Sequence, residues 1–397
     1  MEAYLLDWAN LLVRWLHLIA GIAWIGASFY FVMLDNSLKP PKKPEDGARG
    51  VFGELWAVHG GGFYHSQKYL TGPKGEPLTQ DLHWSKWEAY TTWLSGMGMM
   101  AIIYWIGASS YLIDSSVMAL SPAAAVGISI AFLVAGWVVY DVLCRNMVGK
   151  DGLLAAIVFV LVMVANYVLH QVFSARGAYI HVGAMLGTMM AANVFFHIMP
   201  GQRRMVAQIH AGEKVDPRPG IIGKQRSVHN TYFTLPVLFI MISNHYPMTY
   251  ANANGWLVLG VLMLAGVLIR QFFVLRHRGQ VKWWLPAAGV ALIALLMVLM
   301  APKQVDAGGE KVSFATVKAI MAQRCIACHA EKPTFEGFAQ APKGVMLETS
   351  EQIAANAVMS AQTVASGYMP LGNLTQITDA EREQIAIWFA QGARTAD

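Results

Sequence analysis

Two cysteines and a histidine near the carboxyl end of the chain have the spacing of a covalent haem site. Cys325, Cys328 and His329 stand in the sequence Cys-Ile-Ala-Cys-His. Thiols three residues apart lie on one side of a helical turn, where each can add to a vinyl group of one porphyrin, and the next residue can give its imidazole to the iron. A redox dithiol or a zinc half-site also uses paired cysteines, but the first lacks a βαβ setting and the second lacks another Cys/His pair. The motif therefore predicts haem c.

The iron of such a haem takes a second axial ligand, and a methionine is the expected one. Met369 lies in a Gly-Tyr-Met-Pro sequence, where the proline holds the backbone extended and lets a loop fold over the haem. Met346 and Met359 also follow the motif, but Met359 lies in a helical segment where we expect it to pack. A thioether ligand raises the reduction potential of the iron. We therefore predict that His329 and Met369 are the metal ligands.

The rest of the chain has the composition of a membrane protein. Hydrophobic residues make up 55% of its 397 residues and charged residues only 13%, so neither a soluble enzyme nor a nucleic-acid-binding protein is expected. Eight apolar segments are long enough, or nearly so, to cross a bilayer. The predicted spans are 8–34, 89–113, 122–144, 152–173, 178–200, 231–247, 254–275 and 282–301. The first is too long for a cleaved signal peptide, so we expect it to remain.

Basic residues are distributed unequally between the two sides of this predicted bundle. With the amino terminus outside, the loops 35–88 and 201–230 are cytoplasmic and rich in lysine and arginine, whereas the outer loops between spans hold only Arg176. This asymmetry follows the positive-inside rule. Both the amino terminus and the domain after the eighth span then lie on the periplasmic side of a bacterial inner membrane, which is the side where haem c is attached.

The chain divides into a membrane domain, a linker and a small haem domain. Residues 1–301 form the eight-helix integral membrane domain, residues 302–311 a polar linker, and residues 312–397 a periplasmic cytochrome c domain. Helices are expected from Ser313 and from Thr378, where Glu381 completes a capping box. The order helix, CxxCH, Met-Pro, helix resembles class I cytochromes c. The predicted fold is all-α, an eight-helix transmembrane bundle followed by a small class I cytochrome c domain.

Several histidines fall in or beside the predicted spans, where ionisable groups are costly and are functional candidates. Those in the outer half are His17, His170, His181 and His245. Opposed imidazoles suit a haem b, so we hypothesise that His170, His181 and His245 hold a second, non-covalent haem close to the first. The alternative is that each histidine hydrogen-bonds a neighbouring helix. His197 and His229 lie toward the cytoplasm, too deep to share a site with the outer group.

The cytoplasmic loop around three consecutive glycines is a candidate site for a planar anion. His59 and His65 flank Gly60 to Gly62, and Lys68 follows. Glycine lets the backbone approach a ligand closely, and Trp56 or Tyr64 could stack on the ligand. The alternative is an interfacial loop with a flexible turn. With His17 of the first span, His59, His65 and Lys68 are our candidate catalytic residues.

The chain as a whole resembles the bacterial membrane-bound urate oxidases, also called urate hydroxylases. The likeness is carried by Trp15–Gly26, the His59–Lys68 loop, Trp84–Ala89 and the two cytochrome motifs. It implies urate as the substrate of an oxidoreductase in a lipid bilayer. Electrons would pass from urate to the fused haem c, and then to a soluble cytochrome c or a terminal oxidase. The resemblance brings no established set of catalytic residues.

The implied reaction is the hydroxylation of urate by water to give 5-hydroxyisourate. Urate is an anion, so its site should contain a basic residue; the candidates are Lys68, Arg203 and Arg226 on the cytoplasmic side, and Arg14 and Arg176 farther out. Two other functions stay open. The membrane domain could be a quinol-dependent oxidoreductase or an oxidase subunit with a cytochrome outlet, or a purine permease with an attached cytochrome. The spans lack the dense histidines of a haem–copper centre, and no inverted repeat is present.

Overall fold

Helices make up most of the computed structural model, which describes residues 2–301, 311–335, 338 and 340–395. About 68% of it is helical, in agreement with the predicted class. The helices of the amino-terminal part are α1 (Glu2–Ser37), α2 (Pro44–Ala48), α3 (Trp87–Met99), α4 (Ala108–Tyr111), α5 (Pro122–Asn146), α6 (Asp151–His170), α7 (Ala175–Ala192), α8 (Met199–His210), α9 (Arg218–Ser243), α10 (Pro247–Tyr250), α11 (Gly255–His277) and α12 (Trp284–Leu299).

Five helices of the described chain are long and apolar enough to cross a membrane. They are Tyr4–Ser37, Pro122–Asn146, Asp151–His170, Ala175–His210 and Gly255–His277. Helices also occupy the other three predicted spans, as α3 with its continuation, α9 and α12, but α12 has only 16 residues. The helical content is thus compatible with a membrane domain, and eight crossings remain a prediction.

Two long helices contain segments with wider, π-helical turns. Met100–Ile106 continues α3, and Asn193–Ile198 joins α7 to α8 in one rod from residue 175 to residue 210. Wide turns of this kind shift the side chains that follow and are frequent at functional sites. The second segment carries Asn193 and His197 into the interior, where both take part in a polar cluster.

The loop between α1 and α3 contains a β-hairpin, which corrects the prediction of an all-α fold. Strands β1 (Val51–His59) and β2 (Gly62–Tyr69) pair antiparallel, with Trp56 opposite His65. The turn residues Gly60 and Gly61 both have positive φ, the conformation that a tight two-residue hairpin turn requires. Apolar and polar residues do not alternate along β1, so its sequence does not carry the period of two that indicates a half-buried strand.

Helix α7 lies at the centre of the amino-terminal core, in contact with α5, α6 and α9. Small residues allow these close approaches: a Cβ on Gly136 of α5 would lie 2.5 Å from the Met185 side chain, and one on Gly183 would lie 2.7 Å from Ile240. Helix α7 carries polar side chains near both of its ends, Arg176 at the amino-terminal end and Asn193 where the π-helical segment begins.

The carboxyl-terminal domain has four helices in its described part and a core of its own. They are α13 (Phe314–Arg324), α14 (Ser350–Ala355), α15 (Ala357–Ala365) and α16 (Asp379–Ala390). Ser313 caps α13, and Thr378 with Glu381 forms the predicted capping box of α16. The fully buried side chains include Val317, Met321 and Ile385. The predicted linker lies outside the described residues except for Lys311.

Candidate functional site

The CxxCH residues follow directly after α13, where the chain makes one further turn. The His329 N–H donates to the Cys325 carbonyl oxygen at 2.9 Å, and the Cys328 N–H donates to the same oxygen at 3.2 Å. These bonds keep both thiols and the imidazole on one turn, as the spacing predicted. Cys325 packs against the domain core, and neither cysteine forms a disulfide.

The state of the two thiols argues against a redox dithiol. Burial raises the pKa of the Cys325 thiol to about 12, with a smaller contribution from Cys328, and burial also raises the pKa of Cys328. Reactive cysteines in thiol–disulfide exchange have lowered pKa values, because the thiolate is the nucleophile. The raised pKa values therefore speak against a redox dithiol, and the packing of Cys325 against the apolar core fits a covalently attached, buried porphyrin.

The two predicted iron ligands are held by the backbone around them. The Nδ1–H of His329 donates to the Val345 carbonyl oxygen at 2.9 Å, which leaves Nε2 with the lone pair that an iron ligand needs. Met369 packs against the same core as Cys325. Its carbonyl oxygen accepts a hydrogen bond from Arg382 at 2.7 Å. A thioether, a prepared imidazole and two thiols at one core are a donor set that fits haem c.

The loop that carries Met369 rests on the amino-terminal domain. Gly367, with φ +72°, comes so close to the segment after α10 that a Cβ on it would lie 2.7 Å from the Cβ of Ala251. The helical turn Leu371–Asn373 packs on α4, and a Cβ on Gly372 would lie 3.6 Å from the Ser110 carbonyl oxygen. The two glycines allow the carboxyl-terminal and amino-terminal domains to touch at this loop.

Beneath this loop lies a group of aromatic and polar side chains around Arg176, which we call the outer cluster; it comprises Tyr104, Tyr111, Arg176, Asn244, Tyr250 and Tyr368. The Arg176 Nε–H donates to Asn244 Oδ1 at 2.9 Å, and the guanidinium lies over the Tyr111 ring, 5.4 Å from its centroid. Tyr104, Tyr250 and Tyr368 interact electrostatically with Arg176. In the described parts of the chain no carboxylate forms an ion pair with Arg176.

The histidines predicted to hold a haem b do not form an opposed pair. His181 is fully buried and uses both ring nitrogens, Nε2 with Ser129 Oγ at 2.6 Å and Nδ1 with the Gly177 carbonyl at 2.7 Å. His170 bonds Asn166 through Nδ1 and keeps a buried Nε2 without a partner, while His245 is exposed. Only one of the three therefore offers a buried free nitrogen, so this arrangement does not fit a bis-histidine haem.

His17 hydrogen-bonds a neighbouring helix, which is the alternative that the sequence analysis gave for the histidines of the predicted spans. Its Nδ1 contacts the Thr92 carbonyl at 2.9 Å and Ser95 Oγ at 3.1 Å, both on α3. Gly96 makes room for the ring, because a Cβ there would lie 3.0 Å from His17 Cε1. The side chain thus ties α1 to α3.

A second polar group, the inner cluster, lies at the other end of α7; it comprises Tyr140, Asp141, Arg145, Asn193, His197, Arg226 and His229. Asp141 accepts from Arg226 at 2.7 Å, from Arg145 at 2.7 Å and from His197 Nε2 at 2.6 Å. Arg226 is 1% exposed and its Nε has no partner. Since two arginines meet one carboxylate, the cluster carries excess positive charge.

A small cavity opens beside this inner cluster. Its volume is about 160 Å³, and it is lined by Cys144, Arg145, Val148, His197, Ile222 and Arg226. At roughly 30 Å³ per molecule this is room for about five waters. Arg226 and His197 were candidates from the sequence, whereas Asp141 and Asn193 were not recognised. A carboxylate inside the otherwise apolar third span was the signal available, since intramembrane acids are rare and usually paired.

The hairpin keeps the predicted catalytic residues apart. His59 is exposed at the turn, opposite Gly62, whereas Lys68 lies opposite Gly53, six residues and about 20 Å along the strand. Lys68 forms an ion pair with Asp35 of α1.

His65 has partners within the hairpin. It bonds Glu54 at 2.9 Å and stacks on Trp56 with centroids 4.2 Å apart. The Lys42 backbone N–H, with help from His65, lowers the pKa of the Glu54 carboxyl. His65 therefore stabilises the pairing of the two strands, and Lys68 attaches the hairpin to α1.

Comparison with known proteins relates the amino-terminal domain to one family. Residues 3–301 match the family model described as urate oxidase N-terminal. The match covers more than half of the chain and ends where the predicted membrane domain ends. No curated protein and no solved structure matches the chain.

Proposed function

Because this chain belongs to the urate oxidase N-terminal family, we propose that it oxidises urate in a membrane and passes the electrons to a haem c on its own carboxyl-terminal domain. Membership of the family indicates a urate-related oxidoreductase. The long apolar helices are compatible with a membrane location. The haem c and the route of the electrons are proposed in addition to the family's urate-related activity and the membrane location.

The contact between the Met369 loop and the membrane domain is the observation that carries the proposal. Gly367 touches Ala251, and Tyr368 interacts electrostatically with Arg176, so a haem held by His329 and Met369 would receive electrons from the domain that the family model matches. The packing of Cys325 against the core and the fixed imidazole of His329 support attachment of that haem. A cofactor-free oxidation with direct use of oxygen would need none of these features.

The reaction balances with water as the source of oxygen. Urate and water give 5-hydroxyisourate, two electrons and two protons: a new C5–O bond forms, one proton leaves the water and one leaves a ring nitrogen. A bound haem c supplies one-electron transfer. Two successive transfers are therefore needed for each urate, with a soluble cytochrome c or a terminal oxidase as the final one-electron acceptor. Oxygen is then not the direct partner of urate.

The proposed topology places both termini outside. Eight crossings, with α3, α9 and α12 added to the five membrane-length helices, put the haem domain on the periplasmic side. The hairpin and the inner cluster then face the cytoplasm, and the outer cluster faces the haem domain. The basic loops 35–88 and 201–230 support this orientation.

The test is the fate of oxygen and electrons during turnover. Purified protein with urate in heavy-oxygen water should place the label at C5 and release no hydrogen peroxide. Label from dioxygen, or peroxide formed in step with urate loss, would overturn the proposal. Reduction of the haem by quinol but not by urate would support the quinol-dependent alternative, and uptake of urate into vesicles without oxidation would support the permease.

A further inference from the structure

The outer end of α7 carries a cation that no carboxylate neutralises among the residues that the structure describes. Arg176 is partly buried, its Nε–H bonds a neutral amide of Asn244, and its other neighbours are the rings and hydroxyls of tyrosines. By contrast, the buried Arg226 of the inner cluster already pairs with Asp141. An unneutralised guanidinium in a low-dielectric setting is a strong site for an anion.

The side chains around Arg176 are suited to a flat ring. The Tyr111 ring lies beneath the guanidinium, 5.4 Å from it, and Tyr104 and Tyr250 are 3% and 5% exposed. Asn244 accepts from Arg176 and from the Tyr104 hydroxyl through Oδ1, which leaves its amide nitrogen as a donor. Aromatic faces with a few convergent polar groups are the usual lining of a site for a planar heterocycle.

The same cluster reaches the haem domain. Tyr368 precedes Met369 and interacts electrostatically with both Arg176 and Tyr250. Gly367 holds this loop against Ala251. A substrate seated at Arg176 would therefore lie next to the loop that supplies a predicted iron ligand. Since electron tunnelling falls exponentially with distance, this is the favourable place for an electron donor.

The cavity of the inner cluster lies far from the haem domain. His181 near the outer end of α7 and His197 in the inner cluster are sixteen residues apart, which is about 24 Å along a helix. A donor bound beside Arg226 would need a further carrier to cross that depth. His181, which could have helped to hold one, has both ring nitrogens engaged.

From this geometry we infer that the anionic substrate binds at the outer cluster, between the membrane domain and the haem domain, with Arg176 as its charge partner and the surrounding tyrosines as its aromatic walls. The inference rests on the proposed function and assigns the site at which urate binds. Arg176 would hold the planar monoanion by charge-assisted hydrogen bonds, and a neutral purine such as hypoxanthine would bind more weakly. The Met369 loop would form the outer wall of the site.

Equilibrium binding of urate to the dithionite-reduced full-length protein, measured by calorimetry without oxygen, tests this directly because no turnover occurs. Arg176→Gln should raise Kd by about tenfold to a hundredfold, since one charge-assisted contact is lost. Arg176→Lys, which keeps the charge but not the fork, should recover part of the affinity. The matched control Arg204→Gln, at an exposed arginine of α8, should bind like the unaltered protein. Haem content and thermal stability of each variant show that it is folded.

A second variant addresses the inner cavity. Ile222→Trp would fill that cavity while both of its arginines are kept, and it should leave the Kd for urate unchanged. Loss of binding in Ile222→Trp, or normal binding in Arg176→Gln, would overturn the inference. If the unaltered protein is reduced by urate in either case, the proposed function stands and only the site is wrong. If urate neither binds to nor reduces the unaltered protein, the proposed function itself fails.

Discussion

Gly367 and Ala251 touch across the boundary between the carboxyl-terminal domain and the amino-terminal domain. The space is so tight that a Cβ added to Gly367 would lie 2.7 Å from the Ala251 Cβ, a distance that real side chains do not adopt. The two residues are more than a hundred positions apart in sequence. This contact joins the domain that carries the predicted iron ligands to the domain that matches the urate oxidase family.

Gly367→Ala should separate the two domains at this contact. The added methyl group must displace the loop, and a misplacement of about 1 Å can slow a reaction on the order of a hundredfold. We expect urate-driven reduction of the haem, followed by stopped-flow absorbance, to slow to that degree while haem content stays unchanged. Gly392→Ala is the matched control, because Gly392 also has positive φ but nothing within 4 Å of a Cβ. An equal loss in both variants would assign the effect to backbone strain.

Much of the fold was predictable because its signals are local. Runs of apolar residues placed all eight helical segments, and Ser313, Thr378 and Glu381 marked helix starts that the structure contains. The hairpin was missed because the residues around Trp56 show no alternation of apolar and polar side chains and the three glycines indicated a flexible loop. The contact of Gly367 with Ala251 could not have been predicted, because no local pattern encodes which distant surfaces meet.

Met369→Leu should lower the midpoint potential of the haem without releasing it. The thioether ligand raises the potential, and the covalent attachment at Cys325 and Cys328 does not depend on it. Redox titration of the purified protein measures the change. Met359→Leu is the control, since Met359 is 44% exposed on α15, and it should leave the potential unaltered. If the potential falls in Met359→Leu and not in Met369→Leu, Met359 is the axial ligand and the assignment of Met369 is wrong.

Asp141→Asn should destabilise the amino-terminal domain by about 3–5 kcal/mol, because it leaves the buried Arg226 without its counter-charge. Thermal unfolding in detergent gives the shift. The double variant with Arg226→Gln should be more stable than Asp141→Asn alone. Asp151→Asn, whose exposed carboxylate bonds Gln225, should change the stability by no more than about 0.5 kcal/mol. Full additivity of the two buried substitutions would contradict the pairing.

The candidate site shows the same division between local and distant signals. Cys325, Cys328 and His329 announce their chemistry by spacing alone. Arg176 was one of several basic candidates, and only the folded chain shows that it gathers tyrosines from distant segments. His170, His181 and His245 looked like a set because they share a depth, but His181 has both ring nitrogens engaged, His245 is exposed, and only His170 keeps a buried free nitrogen. Depth in a membrane does not fix direction around a helix.

Glu381→Gln should make the haem domain's stability less dependent on acid pH. Burial alone would raise the pKa of Glu381, but the Thr378 backbone N–H and the Arg324 guanidinium outweigh it, and the pKa lies below its usual value. A lowered pKa means stability that is present above about pH 4.3 and is lost as pH falls through the folded value. The variant should therefore cost about 1 kcal/mol at neutral pH and little at lower pH.

Thermal unfolding followed by haem absorbance between neutral and acid pH checks this behaviour. Glu383→Gln, at an exposed position of the same helix, is the control and should follow the unaltered protein throughout. A difference between Glu381→Gln and the unaltered protein that persists unchanged into acid would show that the carboxylate charge is not what stabilises the helix start.

The most direct test of the central claim is an anaerobic titration of the oxidised full-length protein with urate, watched at the haem c α band. Two haems should be reduced for each urate consumed while protein is in excess, with 5-hydroxyisourate as the product. Reduction by ascorbate in the same sample shows that the haem is competent. If ascorbate reduces the haem and urate does not, the account of this protein as a urate oxidase with a built-in electron outlet is contradicted.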